Sequence, residues 1–171
     1  MDILLTPYQR LNLLNQYRIL EQLARLNKDE DDALFYAGHA TIVSEGYSLD
    51  YGAFQADIAD ELPEDQARLV WDTLDMYAAI DCSYSHLRES SLTKDQIAFK
   101  GFDGNYEAEL MNYCRFIIYD LNRFYELREN ANDFNSHARK YKTYMAMVQK
   151  WKEMDRSYEM SEEQIKTLLE Q

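Results

Sequence analysis

Apolar positions recur at steps of three and four along most of the chain, the period of a helix that turns one face to a core. Thr6, Pro7 and Gln9 open the first such run. A hydroxyl there can take up free amides, proline fits the first turn, and the glutamine can reach back to the cap. The run continues to about Leu26 through Leu13, Tyr17, Leu20 and Ala24, flanked by Leu11, Leu14 and Leu23, with Arg10, Arg18 and Arg25 off its centre. Four carboxylates at residues 29–32 mark the next start, where the amide dipoles favour negative charge. Ala33, Tyr36, Ala37, Ala40 and Val43 carry a second helix to Gly46. A connection of only a few polar residues makes the two helices antiparallel neighbours, so residues 6–45 are predicted to form a helical hairpin.

Asp50 is placed to cap a short third helix bearing Phe54, Ile58 and Leu62, which Pro63 both ends and follows with a new start. The fourth helix has the most regular pattern, with Ala67, Val70, Trp71, Leu74, Tyr77 and Ala78 on one side and Arg68, Asp72 and Asp75 on the other. Residues 82–87 and 96–102 are β-tolerant stretches around a polar connector, and together residues 82–102 admit a short β-hairpin. Helical spacing resumes from about Asn105 through Met111, Cys114, Ile118, Leu121 and Tyr125, and stops by the polar residues 129–133. Asn135 or Ser136 starts another helix with Tyr141, Met145, Val148 and Trp151. Ser161 with Gln164 repeats the capping box ahead of Ile165, Leu168 and Leu169. The fold class read from this pattern is mainly α: a hairpin over residues 1–46 and a second helical part over residues 47–171, able to pack as one unit.

Composition supplies the setting. The 171 residues include 18 Lys and Arg against 31 Asp and Glu, a formal net charge of -13, and 46% are apolar. A chain of this size can bury roughly 70% of the surface its unfolded form exposes, which makes a core without disulfides. Cys82 and Cys114 are too few for a disulfide framework or a zinc site. No charged head followed by an apolar segment opens the chain, and no apolar run approaches the roughly 18 residues of a spanning helix. A cytoplasmic protein with reduced thiols and no membrane partner is expected.

The charge is uneven. Residues 29–65 hold eleven acids and no Lys or Arg, whereas residues 139–152 hold five bases and no acid. Either the acidic run is a solvated face, or it pairs with the basic segment of another subunit or another protein. Both readings disfavour polyanions. Residues 30–102 have the element order of a winged helix-turn-helix, but the segment 64–81 that would enter the groove carries Glu64, Asp65, Asp72 and Asp75 against Arg68 and would repel phosphate.

The residues that carry chemistry are scattered. His39, His86 and His137 fall on three elements, none with a second ligand one turn away, so neither a zincin pair nor a Glu-x-x-His di-iron motif is present and no metal or cofactor is expected. Cys114 lies on an apolar stripe, where burial raises a thiol's pKa, and Cys82 has no basic neighbour to hold a thiolate. Gly101 and Gly104 bracket Phe102 and Asp103, with no lysine following in the manner of a phosphate loop. That bracket suits a Phe102 that plugs the core and an Asp103 that caps the next turn. A second reading places Asp103 with Arg115, Asn135 and His137 around a pocket or interface. No carboxylate spacing singles out an acid and a base. Fourteen tyrosines, several beside charges at stripe edges as Tyr106, Tyr119, Tyr144 and Tyr158 are, suit protein interfaces.

Nine short motifs follow in a recognisable order: Gln9-Arg10-Leu11, Asn15-Gln16-Tyr17, Glu45-Gly46-Tyr47, Asp75-Met76-Tyr77, Phe99-Lys100-Gly101-Phe102-Asp103, Arg115-Phe116, Phe134-Asn135, Lys140-Tyr141 and Trp151. In this order they resemble the bacterial YfbU family over essentially the whole chain, with a looser fit at residues 28–33 and 126–132. The resemblance implies a helical hairpin plus a second helical part and a tendency to form homo-oligomers. It brings no established reaction, catalytic residue or ligand. The function expected is that of a non-enzymatic intracellular interaction or regulatory protein acting as a homo-oligomer, whose partner is itself or another protein. The alternatives are a small intracellular enzyme of unrecognised chemistry and, further off, a winged-helix-like nucleic-acid binder.

Overall fold

Helical periodicity in the sequence becomes helix over most of the chain in the computed structural model, which describes residues 4–55, 58–129 and 132–170. The chain divides into two compact units, Met1–Glu61 and Leu62–Gln171.

In the first unit α1 (Pro7–Leu26) and α2 (Glu30–Glu45) form the hairpin. The Thr6 hydroxyl accepts from the Gln9 amide while the Gln9 side chain accepts from the Thr6 amide, so the predicted capping box closes. Asp29 caps α2 through the Asp32 amide, and Gly46 ends it with φ +75°, a conformation glycine adopts without a Cβ penalty. Arg10 reaches across the hairpin: its Nε donates to the Val43 carbonyl at 2.8 Å and its Nη2 to the Ser44 carbonyl at 2.7 Å, which sets a cation on the last turn of α2.

The seam is narrower than the apolar count predicts. Ala24 of α1 and Ala33, Ala40 and Val43 of α2 are buried, with Leu13, Leu14 and Tyr17 half-buried. Leu20, expected on the core stripe, is 38% exposed, and Leu11 and Leu23 at its flanks are 53% and 49% exposed. Tyr17 of the predicted stripe does enter the seam, its ring centre 5.1 Å from that of His39 and 5.7 Å from that of Phe54. The expected third helix through Phe54, Ile58 and Leu62 is a 3-10 segment, Ser48–Gln55, that anchors Tyr51. Ile58 is exposed and outside any helix, and residues 56 and 57 lie outside the described residues.

The second unit contains α3 (Glu64–His86), α4 (Lys94–Ile97), α5 (Ala108–Arg115), α6 (Tyr141–Glu153) and α7 (Glu162–Leu169). Trp151, Tyr144, Phe102, Phe134, Leu74, Ile80, Ile117 and Ile165 fill one core. Three expectations are corrected here. No β-hairpin forms over residues 82–102: α3 runs on to His86 because Ala79, Ile80 and Ser83 keep helical spacing on its buried side, and Thr93 with Gln96 makes a capping box that coils the next residues into α4. Among the described residues the single β-bridge joins Phe102 to Asn135, so the winged-helix reading loses its wing. Next, α5 does not continue to Tyr125. It passes into a π turn, Phe116–Asp120, whose extra residue slips the phase, so Ile117 and Ile118 are buried while Leu121 and Tyr125 are exposed. Finally, Asn135 and Ser136 do not start a helix, since both are occupied in the bridge region and α6 begins at Tyr141.

Lys152 of α6 and Arg156, just beyond the helix, find one acid within their own unit. Lys152 Nζ and Arg156 Nη1 lie 2.6 and 3.0 Å from the Asp72 carboxylate of α3.

Candidate functional site

The sequence-derived candidates cluster where residues 101–104 cross residues 133–137. The Phe102 amide donates to the Phe134 carbonyl at 3.0 Å, and the Ser136 amide to the Phe102 carbonyl at 3.0 Å. This crossing is tight enough to dictate a residue. A Cβ on Gly101, whose φ is +84°, would lie 1.9 Å from the Phe134 carbonyl oxygen. Asp133, Phe134 and His137 themselves adopt left-handed φ values, so the facing segment is held in a conformation that only surrounding contacts maintain.

Asp103 is buried, and its carboxylate accepts from the Asn105 amide at 2.9 Å. It caps a turn, but the helix starts later, at Ala108. Asn135 Oδ1 accepts from the amides of Gly104 and His137, both at 3.0 Å. Arg115, at the junction of α5 and the π turn, sends Nε and Nη2 to the Asp133 carbonyl at 3.0 and 2.8 Å, and its Nη2 also lies 2.7 Å from the Asp133 carboxylate. Tyr119 donates to the same carboxylate at 3.1 Å; burial first, then that carboxylate, raises its phenol above the usual value. The structure therefore links Asp103 and Asn135 through neighbouring amides, ties His137 to them by its backbone, and holds Arg115 against Asp133.

Sequence reasoning overlooked the residue that organises the region. The Glu107 carboxylate accepts from the amides of Lys140 and Tyr141 at 2.9 Å and from the amide of Asp103 at 3.1 Å. It satisfies the open end of α6 from 33 residues away in sequence, with the helix dipole in its favour. Nothing in the local spacing of Glu107 signals this. Its polar neighbours are backbone amides, as are those of the Asp103 carboxylate and of Asn135 Oδ1, so these oxygens bond to the fold.

A groove of about 760 Å³ opens beside this region, lined by Gln66, Tyr106, Glu107, Glu109, Arg139 and Lys142 among others. The Arg139 guanidinium sits 4.0 Å from the centre of the Tyr106 ring, a cation–π contact that occupies part of it. None of Asp103, Arg115, Asn135 and His137 belongs to its lining. Elsewhere, Cys114 is fully buried and its thiol is pushed up to about 12 by desolvation, as an inert core cysteine should be. Among the described residues no group of three or more His, Cys, Asp or Glu side chains is arranged to hold a metal ion, and no helix is long and apolar enough to cross a membrane.

A family model described as the YfbU domain matches residues 3–171, and so takes in the hairpin, the Gly101 crossing and the Glu107 cap together. The chain belongs to the YfbU family. A UPF0304 protein of Methanocaldococcus jannaschii is 32% identical over 173 residues, which cover 97% of this chain and 99% of that protein. Because that relative is archaeal, YfbU membership does not place the chain in bacteria.

Proposed function

We propose that this YfbU-family protein is a non-enzymatic interaction or regulatory protein that acts in the cytoplasm as a homo-oligomer. The observation that carries the reading is the hairpin. Of the twenty residues of α1 only Ala24 is buried, while Tyr8, Leu11, Ile19, Leu23 and Leu26 stand between 49% and 78% exposed. A surface of this kind is what an association face presents, since scattered apolar residues are ordinary but a helix lined with them is not. The crossing around Asp103 and Asn135 supports the non-enzymatic side, because the Asp103 carboxylate and the Asn135 side-chain oxygen bond to backbone amides and Asp133 is held by Arg115 and Tyr119. Arg115, Asn135 and His137, braced by the buried Asp103, then serve as a rigid feature whose shape a partner reads. The two free cysteines fit a reducing setting.

Size-exclusion chromatography with light scattering tests this at micromolar concentration. A mass of at least twice 20.3 kDa is expected; a monomer at 50 µM, roughly the upper end of useful cellular affinities, removes the reading.

A further inference from the structure

The exposed side of α1 is organised. Tyr8, Leu11, Asn15, Ile19, Gln22 and Leu26 follow one another at steps of three or four, so they form a single stripe along the helix. Arg10, Leu13, Tyr17 and Ala24, which face the hairpin seam, lie on the opposite side. All six stripe residues are exposed. The stripe therefore repeats the pattern that zips helices together, on a face the hairpin leaves unused.

Its order is also symmetric about one residue. Counting outward from Asn15, Leu11 corresponds to Ile19, Tyr8 to Gln22, and Leu26 to Leu4, which lies just ahead of the helix and is 87% exposed. From this we propose that α1 is a two-fold docking surface for a second copy of the same chain, packed antiparallel with Asn15 on the axis. This rests on the homo-oligomer reading above and names its interface and register.

The pairing is chemically complete at each level. Leu11 of one copy meets Ile19 of the other, and Leu26 meets Leu4, so apolar groups bury one another. Asn15 meets Asn15, whose amides each carry donors and an acceptor and can bond across the axis; a lone asparagine in an apolar seam is a known device for fixing register. Tyr8 meets Gln22, a hydroxyl opposite an amide. The antiparallel arrangement also sets the two helix dipoles head to tail. Two helices of twenty residues touch along about 30 Å, and the apolar side chains of the stripe with Leu23 beside it expose an area on the order of the ~800 Å² that each partner gives to a standard interface. An isologous contact of this kind closes on itself and yields a defined dimer or dimer-based oligomer.

Cysteine cross-linking of the full chain decides it, in a background of Cys82→Ser, with Cys114 left in the core. Asn15→Cys is expected to give a disulfide-linked dimer under mild oxidation. Leu11→Cys and Ile19→Cys chains are expected to cross-link when mixed and not when oxidised alone. Ile19→Glu should raise the dissociation constant about a hundredfold or more, with unchanged helical circular dichroism, since the position is exposed in the folded chain. Cross-linking of Leu11→Cys with itself as readily as with Ile19→Cys overturns the antiparallel register. A wild-type oligomer that neither cross-links through Asn15→Cys nor responds to Ile19→Glu overturns this surface and leaves the homo-oligomer reading in place. A monomeric wild type removes both.

Discussion

The hairpin and the larger unit spend their apolar residues in opposite ways. In the Leu62–Gln171 unit a set of the bulkiest side chains goes fully inward, Trp151, Phe102, Phe134 and Ile165, although Phe116, Tyr106 and Tyr125 stay exposed. In the hairpin the buried helical residues are Ala24, Ala33, Ala40 and Val43, while Leu4, Leu26, Leu34 and Phe35 are more than half exposed. Small residues let two helices close on each other, but they bury little area, at roughly 25 cal/mol per Å². The larger unit is thus stabilised from within. The hairpin relies on the Arg10 clasp and on the aromatic cluster of Tyr17, His39 and Phe54.

The largest expected effect breaks the comparison at its strong end. Phe102→Ala removes a fully buried ring at the segment crossing and should cost about 3–5 kcal/mol, read as a lower urea midpoint. Leu34→Ala in α2, at 66% exposure, should stay within about 0.5 kcal/mol. Equal costs at the two positions would mean that the hairpin has a core of its own and that the contrast between the units is false.

The second effect concerns the long-range cap. Glu107→Ala leaves three amides without their carboxylate and opens the first turn of α6, at a cost of about 2–3 kcal/mol. Asp103→Ala removes one acceptor from one turn and should cost about 1 kcal/mol. Denaturation of the two variants side by side tests the order. A neutral or stabilising Asp103→Ala would show a carboxylate held against the interests of the fold, and would bring back the pocket formed with Arg115, Asn135 and His137.

What the sequence revealed and what it hid divides along the same line. Local signals read true: the capping boxes at Thr6 and Ser161, the acidic start of α2 and the regular stripe of α3 all involve residues within one turn. Gly101 and Gly104 drew notice to Asp103 because a glycine pair is a local signal too, and the close approach to Phe134 is its reason. Three features were illegible. Glu107 caps a helix 33 residues ahead, and no spacing encodes that. The π turn at Phe116–Asp120 carries no composition mark, so the phase of Leu121 and Tyr125 was misjudged. The β-tolerant residues of 82–102 do not form a β-hairpin, because helical spacing at Ala79, Ile80 and Ser83 carries α3 through the first stretch to His86 and the Thr93–Gln96 capping box coils the start of the second into α4. In the hairpin unit the stripe of Leu13, Tyr17 and Ala24 does turn to the seam, and what stayed hidden is how narrow the seam is, since Leu20 and the flanking Leu11 and Leu23 remain exposed.

The smallest effect probes a tether at the surface of the larger unit. In the hairpin the ion pairs are local, Arg25 with Glu21 and Glu30, whereas in the larger unit Glu162 at the start of α7 holds Ser91, 71 residues earlier, as well as Lys166 one turn on. Bonding to Lys166 first, and to Ser91 next, lowers the Glu162 carboxyl to about 2, against about 4.3 for an unperturbed glutamate. The folded state therefore binds this proton more weakly than the unfolded state does. Its contribution to stability is present in full above about pH 4.3, and is lost as the pH falls through about 2. Because the group lies at the surface, solvent screens the pair and the effect on a melting curve is small. A titration of the Glu162 carboxyl by NMR reads it directly. Lys166→Met should move the midpoint up toward the ordinary glutamate value, and Ser91→Ala should move it part of the way. A midpoint that stays near 2 in Lys166→Met and in Ser91→Ala alike would assign the shift to the α7 amides and make the long-range tether a minor contact.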